Sequence, residues 1–277
     1  MDLQHSSKLF DLTGETVVVT GGAGVICASL CRAVAKAGAR VAILDINNQA
    51  ANNLAVEINQ SGGEAIAIEC DVCDKGSLNL AAQQIIGSFG RVDILINGAG
   101  GNNPQATTSA DLSFFDLPEN ALNWVVNLNL LSTILSAQVF GKFMALQKKG
   151  IILNISSMNA LRPLTRIPAY SAAKAAVSNF TQWLAVHMAQ VYSPEIRVNA
   201  IAPGFFLTDQ NHYLLMDETT GKLTNRGQTI LDHTPMKRFG KPEDLEGTVL
   251  WLLSPASSFV TGIVVPIDGG FSGYSGI

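Results

Sequence analysis

The sequence predicts an α/β fold in which a doubly wound sheet of seven parallel strands carries helices on both faces. Short apolar runs alternate with helical patterns along the chain. The strand-like runs are apolar throughout instead of at every second position, which indicates burial on both faces, as in a parallel sheet. Because no linker, repeat or low-complexity tract interrupts the alternation, we expect residues 1–277 to form a single domain.

Seven runs predict the strands, and six helical patterns separate them. The strand-like runs are ETVVVTGG, RVAILDI, EAIAIECDV, RVDILINGAG, GIILNISS, EIRVNAIAPG and GIVVPIDGG. The helical patterns are Gly24 to Lys36 with Gly38 as a stop, QAANNLAVEINQ, SLNLAAQQIIGSF, an uncharged helix ending near Leu146, a helix containing Tyr170, and PEDLEGTVLWLLS. Right-handed crossovers bring the carboxyl ends of such strands to one edge, where doubly wound sheets bind their ligands.

Composition disfavours several classes of partner. The formal net charge is −4 and no block of Lys or Arg occurs, so the sequence predicts neither nucleic-acid nor membrane-surface binding. The N-terminus does not resemble a secretory signal, which favours a cytoplasmic location. Two stretches, Asn120 to Gly141 and Ala175 to Pro194, lack charged residues. Their polar side chains are costly in hydrocarbon, so we expect helices that pack on the sheet or on another subunit.

The four cysteines predict free thiols of a reducing compartment. Cys70 and Cys73 form a CxxC motif, a pattern that is redox-active in some proteins and half of a zinc site in others. Zinc needs a second pair, and Cys27 with Cys31 has helical spacing instead of the usual knuckle spacing. We therefore expect no metal.

The first four strand ends predict a dinucleotide site. The glycine turn TGGAGVIC follows the first strand and begins a helix, whose N–H groups and dipole favour a pyrophosphate. Asp45 ends the second strand, where a carboxylate binds ribose hydroxyls and repels a 2′-phosphate, which favours NAD over NADP. A purely structural turn and a solvated carboxylate are the alternatives. The predicted cofactor contacts are Gly21, Gly22, Gly24, Val25, Ile26, Asp45, Asp71, Val72, Asn97, Gly98, Ala99, Tyr170, Lys174, Pro203, Gly204, Phe206 and Thr208.

The stretch AYSAAKAAVSNF places Tyr170 and Lys174 four positions apart, on one face of a helix. The pKa of a free tyrosine is about 10, and a nearby ammonium group lowers it. The pair therefore predicts a general acid/base, with an ordinary helical surface pair as the alternative. Ser157, at the end of the fifth strand, is expected to hold the substrate oxygen while Tyr170 moves the proton.

Together these motifs resemble the short-chain dehydrogenase/reductase family over the whole chain. The resemblance rests on the glycine turn, on Asp71, and on NGAG, NISS, YSAAK, VNAIAPG and IDGGF. It implies a Rossmann-type fold and an NAD(P)-dependent oxidoreductase. The catalytic residues that it implies are Asn129, Ser157, Tyr170 and Lys174.

The fourth catalytic residue of the family, an Asn, matches either Asn127 or Asn129, and we prefer Asn129. Two positions depart from the family's pattern: Cys27 replaces a glycine, and Gly98 stands where a second Asn is frequent. The resemblance also implies a mechanism in which hydride passes between nicotinamide C4 and a carbonyl carbon. Ser157 would polarise the oxygen and Tyr170 would transfer the proton. The Lys would lower the pKa of the Tyr and bind the nicotinamide ribose, and the Asn would hold a water in a proton relay.

Two polar regions are expected to select the substrate: the loop between Ser157 and Tyr170, and a covering segment at about residues 205–235. Both contain arginines, which bind carboxylates through two parallel hydrogen bonds. We therefore expect a sugar acid instead of a steroid or an acyl chain, with solvated or ion-paired arginines as the alternative. The predicted substrate contacts are Asn159, Arg162, Arg166 and Asn211.

Within the family, FFLTDQN, TPMKRFGKPEDL, DGGFSGYSGI and SSMNALRPLTRIPAYSAAK resemble the D-fructuronate reductases, also called D-mannonate oxidoreductases. These enzymes reduce the C5 ketone of D-fructuronate. Gluconate 5-dehydrogenases and other polyol or sugar-acid enzymes share most of the motifs and are the alternative. A non-catalytic dinucleotide-binding regulator is the alternative of another class, which the complete catalytic set disfavours. The resemblance further implies a homotetramer whose long helices pack across subunits.

Overall fold

The computed structural model describes residues 8–207, 215–217 and 221–276. The strands are β1 (Thr16–Thr20), β2 (Arg40–Asp45), β3 (Glu64–Glu69), β4 (Ile94–Asn97), β5 (Gly150–Ile155), β6 (Ile196–Pro203) and β7 (Val264–Ile267). They form one sheet in the order β3-β2-β1-β4-β5-β6-β7, with every neighbouring pair parallel. The predicted doubly wound fold is confirmed.

Helices connect the strands on both faces of the sheet. They are α1 (Val25–Lys36), α2 (Asn48–Gln60), α3 (Lys75–Phe89), α4 (Glu119–Val126), α5 (Ser132–Gln147), α6 (Pro168–Val191), α7 (Asn225–Asp232) and α8 (Glu243–Leu253). A π-helical turn, Asn127–Leu131, joins α4 to α5. The sequence did not predict this turn, nor α7.

The core has two layers, one on each face of the sheet. In β1, Val17 and Val19 pack into one layer with α1, α2 and α8, whereas Val18 packs into the other with α3, α5 and α6. Consecutive side chains of a strand point to opposite faces, so a strand covered on both sides must be apolar at every position. This is the physical reason for the uniformly apolar runs in the sequence.

The register of the sheet aligns the strand ends that form the ligand edge. Thr20 of β1 pairs with Leu44 of β2 and with Asn97 of β4, and Asn97 in turn pairs with Asn154 of β5. The Thr20 side-chain oxygen also accepts hydrogen bonds from the backbone N–H groups of Gly98 and Ala99, at 3.1 and 3.3 Å. The loops that leave these strands therefore begin side by side.

The segment Glu119–Gln147, which comprises α4, the π turn and α5 and contains the uncharged stretch Asn120 to Gly141, is the one described helical segment that is long and apolar enough to cross a membrane. Its mean hydropathy is 1.3, and half of its most apolar window is buried inside the fold. Phe140 and Met144 are fully buried against the sheet, and Asn129 is fully buried beside the strand ends. These contacts are those of a core helix, as the polar residues in the sequence indicated.

Candidate active site

A cleft of about 930 Å³ lies at the carboxyl ends of the strands, between the loops that leave β1 to β6. Most of the residues predicted to bind cofactor or substrate line this cleft. They are Gly21, Gly24, Val25, Ile26, Asp45, Asp71, Val72, Gly98, Ala99, Ser157, Asn159, Arg166, Tyr170, Lys174, Pro203, Gly204 and Phe206. Thr208 and Asn211, predicted to bind the cofactor and the substrate, lie outside the described residues.

The glycine turn fits the pyrophosphate of a dinucleotide. Gly21 has a φ of +61°, and a Cβ atom there would lie 2.8 Å from Ala99 Cα, so the turn needs glycine for both conformation and space. Gly24 is the N-cap of α1, and no side chain caps the helix. The first N–H groups of α1 are therefore available to an anion, and the helix dipole favours a negative charge there.

Asp45 lies at the end of β2, beside the glycine turn. Its Oδ2 accepts a hydrogen bond from Ala23 N at 3.0 Å, and its Oδ1 accepts one from Asn47 N at 2.9 Å. The carboxylate therefore fixes the glycine turn to the end of β2. Each oxygen keeps a second lone pair that can accept a ribose hydroxyl.

The two departures from the family's pattern are in contact with each other. A Cβ atom at Gly98 would overlap Cys27 Sγ and would also lie 2.8 Å from Thr20 O. Cys27 therefore occupies the space that a side chain at position 98 would need. Burial, and then the charge of Asp45, raise the pKa of the Cys27 thiol to about 12, while Lys174 acts in the opposite direction. The thiol is neutral at physiological pH.

Ser157, Tyr170 and Lys174 meet at the base of the cleft. Ser157 Oγ accepts a hydrogen bond from Asn159 N at 3.2 Å. The Ser157 side chain also interacts with the Tyr170 hydroxyl. Lys174 Nζ lies 5.7 Å from the centre of the Tyr170 ring and donates to Ile155 O at 2.8 Å. Both the Tyr and the Lys are in the first turns of α6, which begins at Pro168.

The expected lowering of the Tyr170 pKa by Lys174 is not seen in this arrangement and stays a prediction. Burial raises the pKa of Tyr170 above its ordinary value, and the hydrogen bond with Ser157 offsets only part of the rise. Lys174 is itself buried, which lowers its pKa to about 8. Its ammonium group is directed at the carbonyl of Ile155 instead of at the phenol oxygen.

Asn129 occupies the middle of the π turn and is fully buried, whereas Asn127 is exposed. Asn129 Nδ2 donates to Gly101 O at 2.7 Å and to Val125 O at 2.8 Å, and Oδ1 accepts from Gly101 N at 3.2 Å. A Cβ atom at Gly100 would lie 2.8 Å from Asn129 Oδ1 and 3.2 Å from Lys174 Nζ. Asn129 therefore lies directly behind the cleft wall, beside Lys174, and π turns of this kind are frequent at functional sites.

Asn97 and Gly22 were predicted to contact the cofactor, but neither lines the cleft. The Asn97 amide donates to Asn154 Oδ1 at 2.8 Å, and the Asn154 amide donates to Thr181 Oγ1 at 2.9 Å, so Asn97 takes part in a buried chain that connects β4, β5 and α6. Gly22 packs on Ile43, where a Cβ atom would lie 2.8 Å from Ile43 Cγ2. Both residues face the interior of the sheet, and their contacts with the cofactor stay predictions.

Two arginines from distant parts of the chain line the substrate end of the cleft. Arg166 belongs to the loop before α6, and Arg226 belongs to the first turn of α7. Burial, and then the charge of Arg166, lower the pKa of Arg226 below its ordinary value. Among residues 8–207, 215–217 and 221–276, no carboxylate forms an ion pair with either guanidinium.

Arg162 does not line the cleft, and its predicted contact with the substrate stays a prediction. It is exposed, and its Nε donates to Ser272 O at 3.0 Å, which connects the loop before α6 to the C-terminal segment. Asn159 does line the cleft, and its Oδ1 accepts from Leu164 N at 3.0 Å. The loop after β4 also forms part of the cleft wall, although no sequence motif marks it as such. Several residues of this loop line the cleft, and the polar composition of the loop is the only sign of this in the sequence.

A family profile described as enoyl-(acyl carrier protein) reductase matches residues 21–272. Relatives named as dehydrogenases and reductases match over almost the whole chain. The chain belongs to the short-chain dehydrogenase/reductase family. An uncharacterized oxidoreductase of Bacillus subtilis is 49% identical to this short-chain dehydrogenase/reductase over 276 residues, which cover 96% of this chain and 98% of the relative.

Solved structures show the same relationship. The crystal structure of a proposed D-mannonate oxidoreductase of Haemophilus influenzae, with bound NAD, has a TM-score of 0.92 and 47% sequence identity, and the match covers 98% of this chain and 100% of that one. The 5-keto-D-gluconate 5-reductase of Escherichia coli is 33% identical over 265 residues, which cover 95% of this chain and 98% of the relative. The predicted NAD(P)-dependent oxidoreductase and its nicotinamide cofactor are confirmed. The roles of individual site residues stay predictions.

Proposed function

We propose that this enzyme transfers hydride between NAD(H) and a sugar acid, interconverting D-fructuronate and D-mannonate in the cytoplasm. The observation that carries the proposal is the pair of arginines, Arg166 and Arg226, at the substrate end of the cleft. The D-mannonate assignment proposed for the Haemophilus influenzae structure supports the same substrate.

Two neighbouring cations that have no carboxylate partner within the described part of the chain favour an anionic ligand. Burial lowers the pKa of Arg226, and the charge of nearby Arg166 lowers it further, so the positive charge of Arg226 is disfavoured in this structure. A ligand carboxylate between them would offset this repulsion and accept charge-assisted hydrogen bonds from both. Arg226 is half-buried, so its partial loss of hydration strengthens the preference for a bound anion.

The catalytic set can act on a ketone at the other end of such a substrate. A bound nicotinamide supplies or accepts the hydride. We expect the Ser157 hydroxyl to donate to the ketone oxygen and Tyr170 to deliver the proton when the alcohol forms. The pKa of the Tyr170 phenol is not below its ordinary value of about 10, so the phenol is protonated near neutrality and can donate the proton. Lys174 would then bind the nicotinamide ribose, and Asn129 would support the water that reprotonates the site.

Asp45 supports NAD as the preferred cofactor. It lines the cleft at the end of β2, where its charge would repel the 2′-phosphate of NADP. The two described arginines that line the cleft, Arg166 and Arg226, belong to the loop before α6 and to α7, and neither belongs to the segment that follows β2. NAD is the dinucleotide bound to the structure with a TM-score of 0.92.

The assay that tests the proposal follows NADH consumption with D-fructuronate, using D-fructose and 5-keto-D-gluconate alongside. D-fructose carries a hydroxymethyl group in place of the carboxylate, so it isolates the contribution of the anion. We expect turnover of D-fructuronate and little turnover of D-fructose. Preferential turnover of 5-keto-D-gluconate would favour the gluconate 5-dehydrogenase alternative, and equal rates with D-fructose would contradict a carboxylate site.

We also propose that the chain acts as a single domain in a homotetramer, with residues 205–235 covering the substrate. The exposed faces of α4 and α6 support the assembly, since Trp124 and Trp183 are large, apolar and about half exposed. On α6, Trp183 stacks on the ring of His187 with centroids 4.8 Å apart. Apolar faces of this kind are typical of subunit contacts. Light scattering of the purified protein tests the assembly, and a monomeric mass would contradict it.

A further inference from the structure

The loop after β4, residues 101–112, spans the cleft from the catalytic centre to the arginine pair. It begins at Gly101, whose backbone N–H and C=O both bond to the side chain of Asn129. Further along, Thr108 N donates to Arg166 O at 2.8 Å. A substrate with its ketone near Tyr170 and its carboxylate near Arg166 would therefore have its intervening carbons beside this loop.

The loop is fixed at its centre as well as at its two ends. Asn103 caps a short 3₁₀ turn, Pro104–Ala106, through a hydrogen bond of 2.9 Å from Gln105 N. Ala106 is fully buried and packs with Ala121 and Val125 of α4 and with Ala169 of α6. The loop consequently offers a preorganised surface to the cleft.

Two polar groups of this loop keep hydrogen-bonding capacity at the cleft. Ser109 Oγ accepts from the N–H groups of Asp111 and Leu112, at 3.2 and 3.1 Å, which leaves its hydrogen free to donate. Asn102 Nδ2 donates to Thr107 Oγ1 at 2.9 Å, while Asn102 Oδ1 has no hydrogen-bond donor among the described residues. Asn102 and Ser109 both line the cleft.

We propose that Asn102 and Ser109 form a hydroxyl-binding subsite that recognises the carbons between the ketone and the carboxylate of the substrate. A hydroxyl group both donates and accepts a hydrogen bond, so Ser109 Oγ–H and Asn102 Oδ1 together complement the hydroxyls of a sugar chain. This inference rests on the proposed function. It adds a second basis for selectivity, because a simple keto acid would reach the arginines but would leave these two groups unpaired.

The test compares D-fructuronate with 5-oxohexanoate, which has the same separation of ketone and carboxylate but no hydroxyls. Asn102→Ala and Ser109→Ala should each lower kcat/KM for D-fructuronate about tenfold, the effect of one lost hydrogen bond, and leave kcat/KM for 5-oxohexanoate unchanged. Ser109→Thr, which keeps the hydroxyl, should restore most of the activity. Gln105→Ala is the matched control in the same loop, since Gln105 is exposed and does not line the cleft.

If 5-oxohexanoate is reduced too slowly to follow, its inhibition constant against D-fructuronate replaces kcat/KM. Equal losses with both compounds would show that the substitutions disturb the cleft as a whole, and no loss with D-fructuronate would show that the side chains do not contact the substrate. Either outcome would overturn the subsite. Failure of the wild-type enzyme to reduce D-fructuronate would overturn the proposed function as well, so the two failures are distinguishable.

Discussion

The proposed cofactor half of the cleft is built from strand ends, whereas the proposed substrate half is built from loops. Gly21, Asp45 and Gly98 each follow or end a strand whose register is fixed by its neighbours. Arg166 and Arg226 are separated by 60 positions in the chain. The loop of residues 101–112 is a third segment that contributes residues to this wall of the cleft. Sheet geometry thus dictates one half of the site, while the other half depends on contacts between loops.

The reaction centre lies where the two halves meet, and removing its proton donor should have the largest effect. Tyr170→Phe keeps the ring packing but removes the hydroxyl, so kcat for ketone reduction should fall about 10³-fold. Binding of NADH, measured by fluorescence titration, should change little. The control is Tyr192→Phe, at the C-terminal end of the same helix. Retained activity in Tyr170→Phe would remove Tyr170 from the mechanism.

The second largest effect is expected when the arginines of the substrate half are replaced. Arg166→Met and Arg226→Met each remove a charge-assisted hydrogen bond, so KM for D-fructuronate should rise roughly 10- to 100-fold with little effect on NADH binding. The matched control is Arg162→Met, since Arg162 bonds to Ser272 outside the cleft. A rise in KM with Arg162→Met that equals the rise with Arg166→Met would contradict the assignment of the anion site.

In the cofactor half, we expect substitutions at Gly98 and Cys27 to change the stability of the protein. Gly98→Ala introduces a Cβ atom that overlaps Cys27 Sγ, so the free energy of unfolding should fall by about 2 kcal/mol. In the double variant Cys27→Ala, Gly98→Ala, part of this loss should be recovered, because Sγ is gone while the close approach to Thr20 O remains. Denaturant titration of the four proteins gives the coupling energy, and strict additivity would contradict direct contact.

The smallest expected effect concerns the choice of dinucleotide. Asp45→Asn can keep the acceptor for Ala23 N, loses the acceptor for Asn47 N and removes the negative charge, so the ratio of kcat/KM for NADH over NADPH should fall about tenfold. Steady-state kinetics with both cofactors measures this ratio. Asn47→Ala, two residues further along, removes the side-chain cap of α2 without removing a charge and controls for general loosening of the segment. An unchanged ratio would mean that another feature selects NAD.

The sequence predicts the sheet and the catalytic set because both depend on local patterns. The consecutive valines of β1 indicate burial on both faces, and the spacing of Tyr170 and Lys174 fixes their common helix face. The choice between Asn127 and Asn129 was open because the sequence gives no sign of the π turn that buries one and exposes the other. Ordinary helical periodicity does not apply in that turn.

Loop residues were harder to assign, since no periodicity determines where their side chains point. Arg162 and Arg166 belong to the same loop, yet one bonds to the C-terminal segment and the other faces the cleft. Arg166 has a φ of +75°, a left-handed conformation that few non-glycine residues adopt, and no sequence pattern indicates it. Contacts between distant segments, such as Thr108 with Arg166, require the folded structure.

The contact between Cys27 and Gly98 restricts the order in which this site can change during evolution. A lineage that first acquires a side chain at position 98 must pass through a destabilised intermediate, because Sγ already fills the space. A lineage that first replaces Cys27 with a smaller residue avoids most of that penalty. Since natural proteins are only marginally stable, the second path is the accessible one. Cys27 therefore restricts which residues position 98 can tolerate.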